Sequence, residues 1–373
     1  MRISPASYAP NAAARAVASA PPKRSASWCI ISVCSTSRSN RATSGSCPAA
    51  ATISRSLRFV PESADPDAPK LDLIGALLSV IALGVLVYSI IEAPTQGWGS
   101  TRTLGGLLIA LVFIVAFLGW ELSGDEPLLD PRLFGLRGFS AGTLTVTLQF
   151  FGFFGFVFLI VQYLQLVLGY SALVAALAVA PLAIVLMPFA RGIAPRLAAR
   201  LGARPVMVSG LLLLAVAYAI LAQLDAASSY WLLLCGLVPL GAGMGLAMTP
   251  ATSAITDALP PAKQGVGSAM NDLARELGAA LGIAVLGSIM QSVYRDNLHL
   301  AGLPAQVVEQ ARSSLGIATH IGGQVAEHAQ NAFTGGMQSA LLWAAGLLVL
   351  AALAVAALLT AKASTRTTTE PIE

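Results

Sequence analysis

The sequence predicts an all-α, polytopic membrane protein with eight transmembrane helices. Three observations carry that prediction. The 373 residues are 56% hydrophobic and only 11% charged, whereas a soluble domain carries about 25% charged residues. Mean hydropathy is +0.74. Eight apolar runs follow one another from residue 71 onward. No strand-like alternation competes with them, and in lipid each segment must satisfy its own backbone polar groups, which a helix does.

Residues 1–57 differ from the rest. They are rich in Ser, Ala, Arg and Pro, and no Asp or Glu occurs before Glu62. Their longest apolar patch, 28–33, is too short to span a bilayer. Such a composition cannot bury a core and is expected to be disordered. An acid-free, Ser- and Arg-rich start also fits an organelle transit peptide. A third reading is an extension that is not a natural coding frame. Residues 58–70 form a polar linker punctuated by Pro61, Pro66 and Pro69.

The expected spans are 71–91, 104–120, 139–164, 172–189, 206–224, 231–250, 265–292 and 333–360. Each is near or above the ~20 residues that a spanning helix needs, the second being at the short end. Basic residues set the orientation. With the linker in the cytoplasm, the cytoplasmic loops and tail hold Arg132, Arg137, Arg191, Arg196, Arg200, Arg204, Lys263, Lys362 and Arg366. The opposite side holds Arg102, Arg295 and Arg312. The expectation is a multi-pass protein of the plasma membrane with both termini cytoplasmic.

The remaining composition excludes several functions. A net charge of +4 is accounted for by cytoplasmic loops and does not call for nucleic acid as a partner. Cys29, Cys34, Cys47 and Cys235 show no CxxC or metal-ligand spacing, and His299, His320 and His328 share one polar loop. No HExxH, GxSxG or phosphate-loop pattern occurs. The reading is therefore not an enzyme, with no catalytic residue, no metal site and no cofactor.

The seventh span, 265–292, carries Asn271, Asp272, Arg275 and Glu276 in its first half. At about 100° per residue, Asn271, Arg275, Gly278 and Gly282 fall within roughly one 60° stripe. Leu273, Leu277, Leu281 and Ala284 take another side. Ionisable groups at membrane depth are costly and mark a pathway or a packing device; in the bland reading these groups pin the helix end at the interface. The face of Asn271, Arg275, Gly278 and Gly282 is expected to pack closely, as a gating face, against a partner outside the eight spans.

In the third span, Thr145, Gln149, Gly152 and Phe156 share one helical face. Gln149 is then either an interhelical hydrogen bond or a cavity-lining group. Phe150, Phe151, Phe153, Phe154, Phe156 and Phe158 are too many for one cavity, so most must face lipid or neighbouring helices. In the sixth span, Gly241 and Gly245 make a small-xxx-small face. Met244 and Met248 are adaptable apolar linings or plain packing. Pro250 removes a backbone donor, which Thr249 can re-satisfy. Pro181 and Pro188 should bend or end the fourth span. The segment 191–204 places four arginines between two spans, suited to carboxylates, helix C-termini or anionic headgroups, or simply to setting topology. Arg196, Arg200 and Gly202 are expected to form a short turn-helix-turn there. Glu92 and Trp98 read as outer-interface residues, and 304–329 could form an amphipathic helix.

Four stretches carry a family resemblance. They are RFVPESADPDAPKLDLIGALLSV with IIEAPTQGW; PLLDPRLFGLRGFSAG followed by QYLQLVLGYSALVAAL; RGIAPRLAARLGARPVMVSGL; and MGLAMTPATSAITDALPPAKQGVGSAMNDLARELGAALGIAVLGSI. In collinear order they resemble the major facilitator superfamily, and within it the 14-span multidrug:proton antiporters of the EmrB/QacA type. The match looks like spans 7–14. The resemblance implies a division into residues 58–138, the linker and an extra transmembrane pair, residues 139–361, the C-terminal six-helix half, and a cytoplasmic tail at 362–373. The first six spans have no counterpart, and residues 1–57 stand in their place; a truncated or mis-framed start follows.

The resemblance further implies proton-coupled efflux of small amphipathic organic compounds. The expected partners are the lipid bilayer, a small-molecule substrate, protons and a missing N-terminal half. Candidate cavity positions are Gln149, Phe156, Met244, Met248, Asn271 and Arg275. The segment 191–204 resembles the weaker copy of the family's cytoplasmic gating motif, with Arg196, Arg200, Gly202 and Arg204 as candidates. Ala199 stands where that motif has an acid. The alternatives are a half-transporter without independent activity and, third, a membrane receptor or scaffold.

Overall fold

A computed structural model describes residues 72–123, 131–300 and 304–359. The expectations for residues 1–57, the 58–70 linker and the 362–373 tail lie outside the described residues. All regular structure among the described residues is helical. Among the described residues, eight helices are long and apolar enough to cross a membrane.

The first two spans, α1 (Leu73–Gln96) and α2 (Thr101–Ser123), form an antiparallel pair. Asp72 caps α1, its carboxylate accepting from the Ile74 and Gly75 amides at 3.1 and 2.9 Å. That satisfies donors with no intrahelical partner. The second carboxylate oxygen accepts from the Trp120 indole of α2 at 2.9 Å, pinning the two helices at one end. A 3-10 turn, Pro131–Gly135, leads into α3 (Arg137–Gln162).

The six helices that follow are the main bundle. After α3 comes a π-helical turn, Tyr163–Val167, and then α4 (Ala172–Pro188), capped by Ser171. A second π-helical turn, Phe189–Ile193, joins α4 to the short α5 (Ala194–Leu201). The chain continues through α6 (Ala203–Leu221), α7 (Tyr230–Asp257), a 3-10 turn at Pro261–Lys263 and α8 (Gln264–Asn297). Two short helices, α9 (Ala305–Ser313) and α10 (Leu315–Ile321), precede α11 (Gly323–Leu358). The closest partners are α3 with α8, α6 with α7, and α11 with α6 and α8. The α1–α2 pair meets this bundle chiefly through α8.

Helix boundaries depart most from the sequence reading in four places. The fourth span does not stop at 189, because helical geometry persists to Leu201. Pro188 is followed by the π-helical turn, and Pro195 lies in the first turn of α5, where its missing N–H matters least. The break comes at Gly202, with φ at +87°. The sixth span runs past Pro250 to Asp257, since both of its prolines are absorbed inside the helix. The amphipathic segment is divided into α9 and α10 at the extended Ser314, and ends at Gly322. The last span begins at Gly323, ten residues before the apolar run itself.

Packing follows residue size. In a bilayer, helices associate through close contact, and small residues permit it. A Cβ on Gly278 would collide with the Thr147 carbonyl of α3, and one on Gly282 with the Phe151 carbonyl. Gly245 meets α4 in the same way, 2.8 Å from the Leu186 carbonyl. Gly243 of α7 meets Gly210 of α6, its carbonyl 2.8 Å from a Cβ at position 243. The outward faces of α1, α2 and α4 expose Leu77, Leu108, Leu177 and Ile184, as lipid-facing helices do.

Candidate functional site

Buried polar side chains lie on α3 (Thr143, Thr145, Gln149), α8 (Asn271, Ser288) and α11 (Thr334), with others on α1 and α2. The α3 face read from the sequence is buried: Thr145 is 0%, Gln149 1% and Phe156 0% exposed. Gln149 Nε2 donates to the Met244 carbonyl of α7 at 3.1 Å. A carbonyl has two lone pairs, so it can take this donor without leaving the helix ladder. Of the two sequence readings for Gln149, the geometry is the interhelical hydrogen bond. Its Oε1 is buried without a hydrogen-bond partner among the described residues, and so is the Tyr218 hydroxyl of α6. Tyr218 lies against Gly152, where a Cβ would come within 2.9 Å of the hydroxyl, and its ring is 6.0 Å from that of Phe156. Unsatisfied polar atoms in an apolar interior are rare and mark strain, bound solvent or function.

Of the six phenylalanines, Phe151 and Phe156 are buried, Phe150 and Phe153 half-buried, and Phe154 and Phe158 exposed. Met244 is buried at 3%, and Met248 is half-buried.

The α8 stripe does not act as one face. Asn271 turns to α7, where its Oδ1 accepts from the Thr252 hydroxyl at 3.2 Å. Arg275 turns to α3, its guanidinium 5.4 Å from the Phe150 ring centroid. It also stands 4.0 Å from Asp272, with 30% and 70% of the two side chains exposed. Arg275 Nε is buried and has no hydrogen-bond partner among the described residues. Gly278 and Gly282 are filled by α3 of the same bundle, so the close-packed face finds its partner within this chain. Asp272 and Glu276 are exposed.

At the same end lies the arginine-rich segment. Arg191, Arg196 and Arg200 are exposed, and Arg204 is half-buried. Ala194 packs with Val206 and Leu246, so α5 turns its apolar side to α6 and α7 and its arginines outward. The Thr249 hydroxyl does not repair its own helix at Pro250. It donates to the Ala190 carbonyl at 2.9 Å, inside the π-helical turn, where ladder bonding is disturbed. Thr249 and Thr252, three residues apart, thus connect α7 to the π-helical turn after α4 and to α8. Sequence reading missed Thr252. The signal was the Thr spacing around a helix proline, where hydroxyls reach neighbouring backbones.

At the other end, the Ser288 hydroxyl donates to the Ile90 carbonyl at 2.6 Å, joining α1 to α8, and the Trp98 indole in the turn after α1 donates to Ser292 of α8 at 3.0 Å. Glu92 accepts from Gln96 Nε2 at 3.0 Å. Tyr294 donates to the Ala311 carbonyl at 2.7 Å, and Arg295 pairs with Glu309 at 2.9 Å, holding α9 against α8.

Comparison with known proteins decides the family. The sequence pattern of the Major Facilitator Superfamily matches residues 71–283. The chain belongs to the Major Facilitator Superfamily. Among similar proteins is the multidrug efflux pump LfrA of Mycolicibacterium smegmatis, 32% identical over 80% of this chain and 60% of that protein. The tetracenomycin C resistance and export protein of Streptomyces glaucescens is 32% identical over 78% of this chain and 56% of its own length. The multidrug resistance protein Stp of Mycobacterium tuberculosis is 33% identical over 63% of this chain and 43% of its own length. The chain therefore spans about half the length of the curated superfamily relatives it matches.

Proposed function

We propose that this chain is a transporter that exports small amphipathic organic compounds in exchange for protons, similar to spans 7–14 of the 14-span EmrB/QacA-type antiporters. The observation that carries this is the similarity to a multidrug efflux pump along 80% of the chain. In such a machine two halves rock about a cavity, giving alternating access. The division at residue 139, between the helix pair and the six-helix half, belongs to the same proposal. So does an orientation with the arginine-rich end in the cytoplasm, which agrees with the excess of basic residues there.

Gln149, Phe156, Met244, Met248, Asn271 and Arg275 are the proposed cavity and coupling positions. Buried Gln149 and Tyr218 carry polar atoms with spare hydrogen-bonding capacity, and partly exposed Arg275 supplies a cation. Arg196, Arg200, Gly202 and Arg204 form the proposed gating segment. The direct experiment loads cells expressing this chain with a fluorescent organic cation and follows efflux with and without a protonophore. Protonophore-sensitive efflux above the empty-vector control is expected.

Coverage of about half of each relative favours a second reading, a half-transporter that exports only when a first half is supplied. Silence of the chain alone, with export restored by co-expression of a six-span first half, is the result this reading expects.

A further inference from the structure

A cavity of about 400 Å³ lies at the α9–α10 end of the bundle, between α1 and the six-helix set. Its size is within the range of small-molecule sites. The floor is apolar and includes Phe158 of α3 and Ile283 and Gly287 of α8. Gly287 keeps the floor open, since a Cβ there would stand 3.1 Å from the Phe158 ring. The rim, nearer the helix ends, is polar and includes Gln162, Gln291 and Ser314. Among the described residues, no charged side chain lines the cavity.

Three properties define an occupant. First, polarity rises along the cavity in the direction of the helix axes. On α3 it passes from Phe158 to Gln162, and on α8 from Ile283 to Gln291. An amphiphile standing along the membrane normal has the same gradient. Second, the mouth opens among apolar side chains on membrane spans, with Ile91 52%, Phe158 39% and Ile283 37% exposed. A molecule already in the bilayer enters there without crossing water. Third, the rim offers donors to an uncharged head. Gln162 Nε2 makes one bond, to the Phe158 carbonyl at 3.1 Å, and Gln291 Nε2 makes one, to the Arg312 carbonyl at 3.0 Å. An amide nitrogen carries two donors. The second N–H of each, with the Ser314 hydroxyl, suits carbonyl oxygens.

We propose that this cavity binds one acyl chain of a glycerophospholipid from the leaflet at the α9–α10 end. The chain lies on Gly287, and the ester carbonyl accepts from the rim. The lipid then fills the wedge between α1 and α3, which meet chiefly through α8. Filling an apolar void with an apolar chain restores dispersion contacts that the lining would otherwise lack.

The test uses the full chain in phospholipid vesicles doped with a phosphatidylcholine carrying a diazirine in one acyl chain. After illumination, cross-linked peptides are mapped by mass spectrometry. Labelling concentrated on residues 283–291 is expected, above that on the exposed 108–112 surface of α2. It should be lost in Gly287→Phe, where a ring takes up the floor, and in Ile91→Trp, where the mouth narrows. Ile91 is exposed, so the second variant reads the site even if the first disturbs the fold. Labelling of 108–112 should be unaltered in both. Equal labelling of both segments overturns the proposal, as does labelling that survives both substitutions. Displacement of the label by a soluble organic cation at low concentration also overturns it, since the cavity would then belong to transported compounds.

Discussion

Gln149 of α3 reaches across the bundle to the main-chain carbonyl of Met244, 3.1 Å away on α7. The two helices are thereby tied by a bond whose acceptor does not depend on side-chain identity, and its energetic worth can be measured through Gln149 alone.

Gln149→Leu keeps the volume and removes the bond. A net loss of about 1 kcal/mol is expected for one hydrogen bond, and membrane interiors average nearer ~0.6 kcal/mol. Thermal unfolding of the purified chain in detergent reads the loss. Gln149→Glu should cost more, because it buries an acid against a carbonyl acceptor. Equal stability of the Glu and Leu variants would contradict the buried geometry.

Gly282 is the tightest small-residue contact between α8 and α3, since a Cβ there collides with the Phe151 carbonyl. Gly282→Ala should force the helices apart and cost about 1–3 kcal/mol, as overpacking does. Gly346 of α11 has nothing within 4 Å of a Cβ. Gly346→Ala should be neutral or slightly stabilising, because alanine favours the helix by about 1 kcal/mol. The two substitutions measured side by side separate packing from propensity, and similar losses in both would refute the contact.

Thr252 and Asn271 hold α7 to α8 at 3.2 Å. A double-mutant cycle with Thr252→Val and Asn271→Ala should return a coupling of about 0.6 kcal/mol, with an upper range near ~1.7 kcal/mol. Additive losses would mean that the hydroxyl and the amide do not interact.

Arg275 stands over Phe150 and only 4.0 Å from Asp272. Pairs this exposed contribute little to stability, about 0–1 kcal/mol. Arg275→Ala should therefore lower export far more than it lowers the melting temperature. Arg275→Lys should not restore export, because lysine lacks the planar guanidinium that stacks on a ring. Efflux at the unmutated rate in Arg275→Ala would remove this residue from the mechanism.

The eight spans were legible because a bilayer demands long apolar runs, and composition alone reports those. The buried face of α3 was legible because Thr145, Gln149, Gly152 and Phe156 repeat at helical spacing. The split of the α8 stripe was not. Periodicity places Asn271 and Arg275 on one side of a helix, whereas two neighbours, α7 and α3, divide that side between them. The short helix at 194–201 was legible, since Arg196 and Arg200 stand one turn apart and Gly202 ends the run. Its continuity with the fourth span was not, because Pro188 and Pro195 signal a stop that the π-helical turn bridges. Contacts such as Gly210 with Gly243 join residues far apart in sequence and depend on helix crossing, which no local pattern encodes.

The π-helical turn Phe189–Ile193 places one residue more in its turn than an α-helix would. Each residue of such a turn advances by roughly 80° instead of about 100°, so its five residues sweep nearly the arc that four sweep in an α-helix. The surplus residue is thereby absorbed within the turn. Deleting one residue inside Phe189–Ile193 should leave Arg196 and Arg200 facing outward and Ala194 beside Val206 and Leu246. Deleting one residue within α4 should instead rotate everything after it by about 100°. The turn is thus the one place in this helix where a change of length does not become a change of direction.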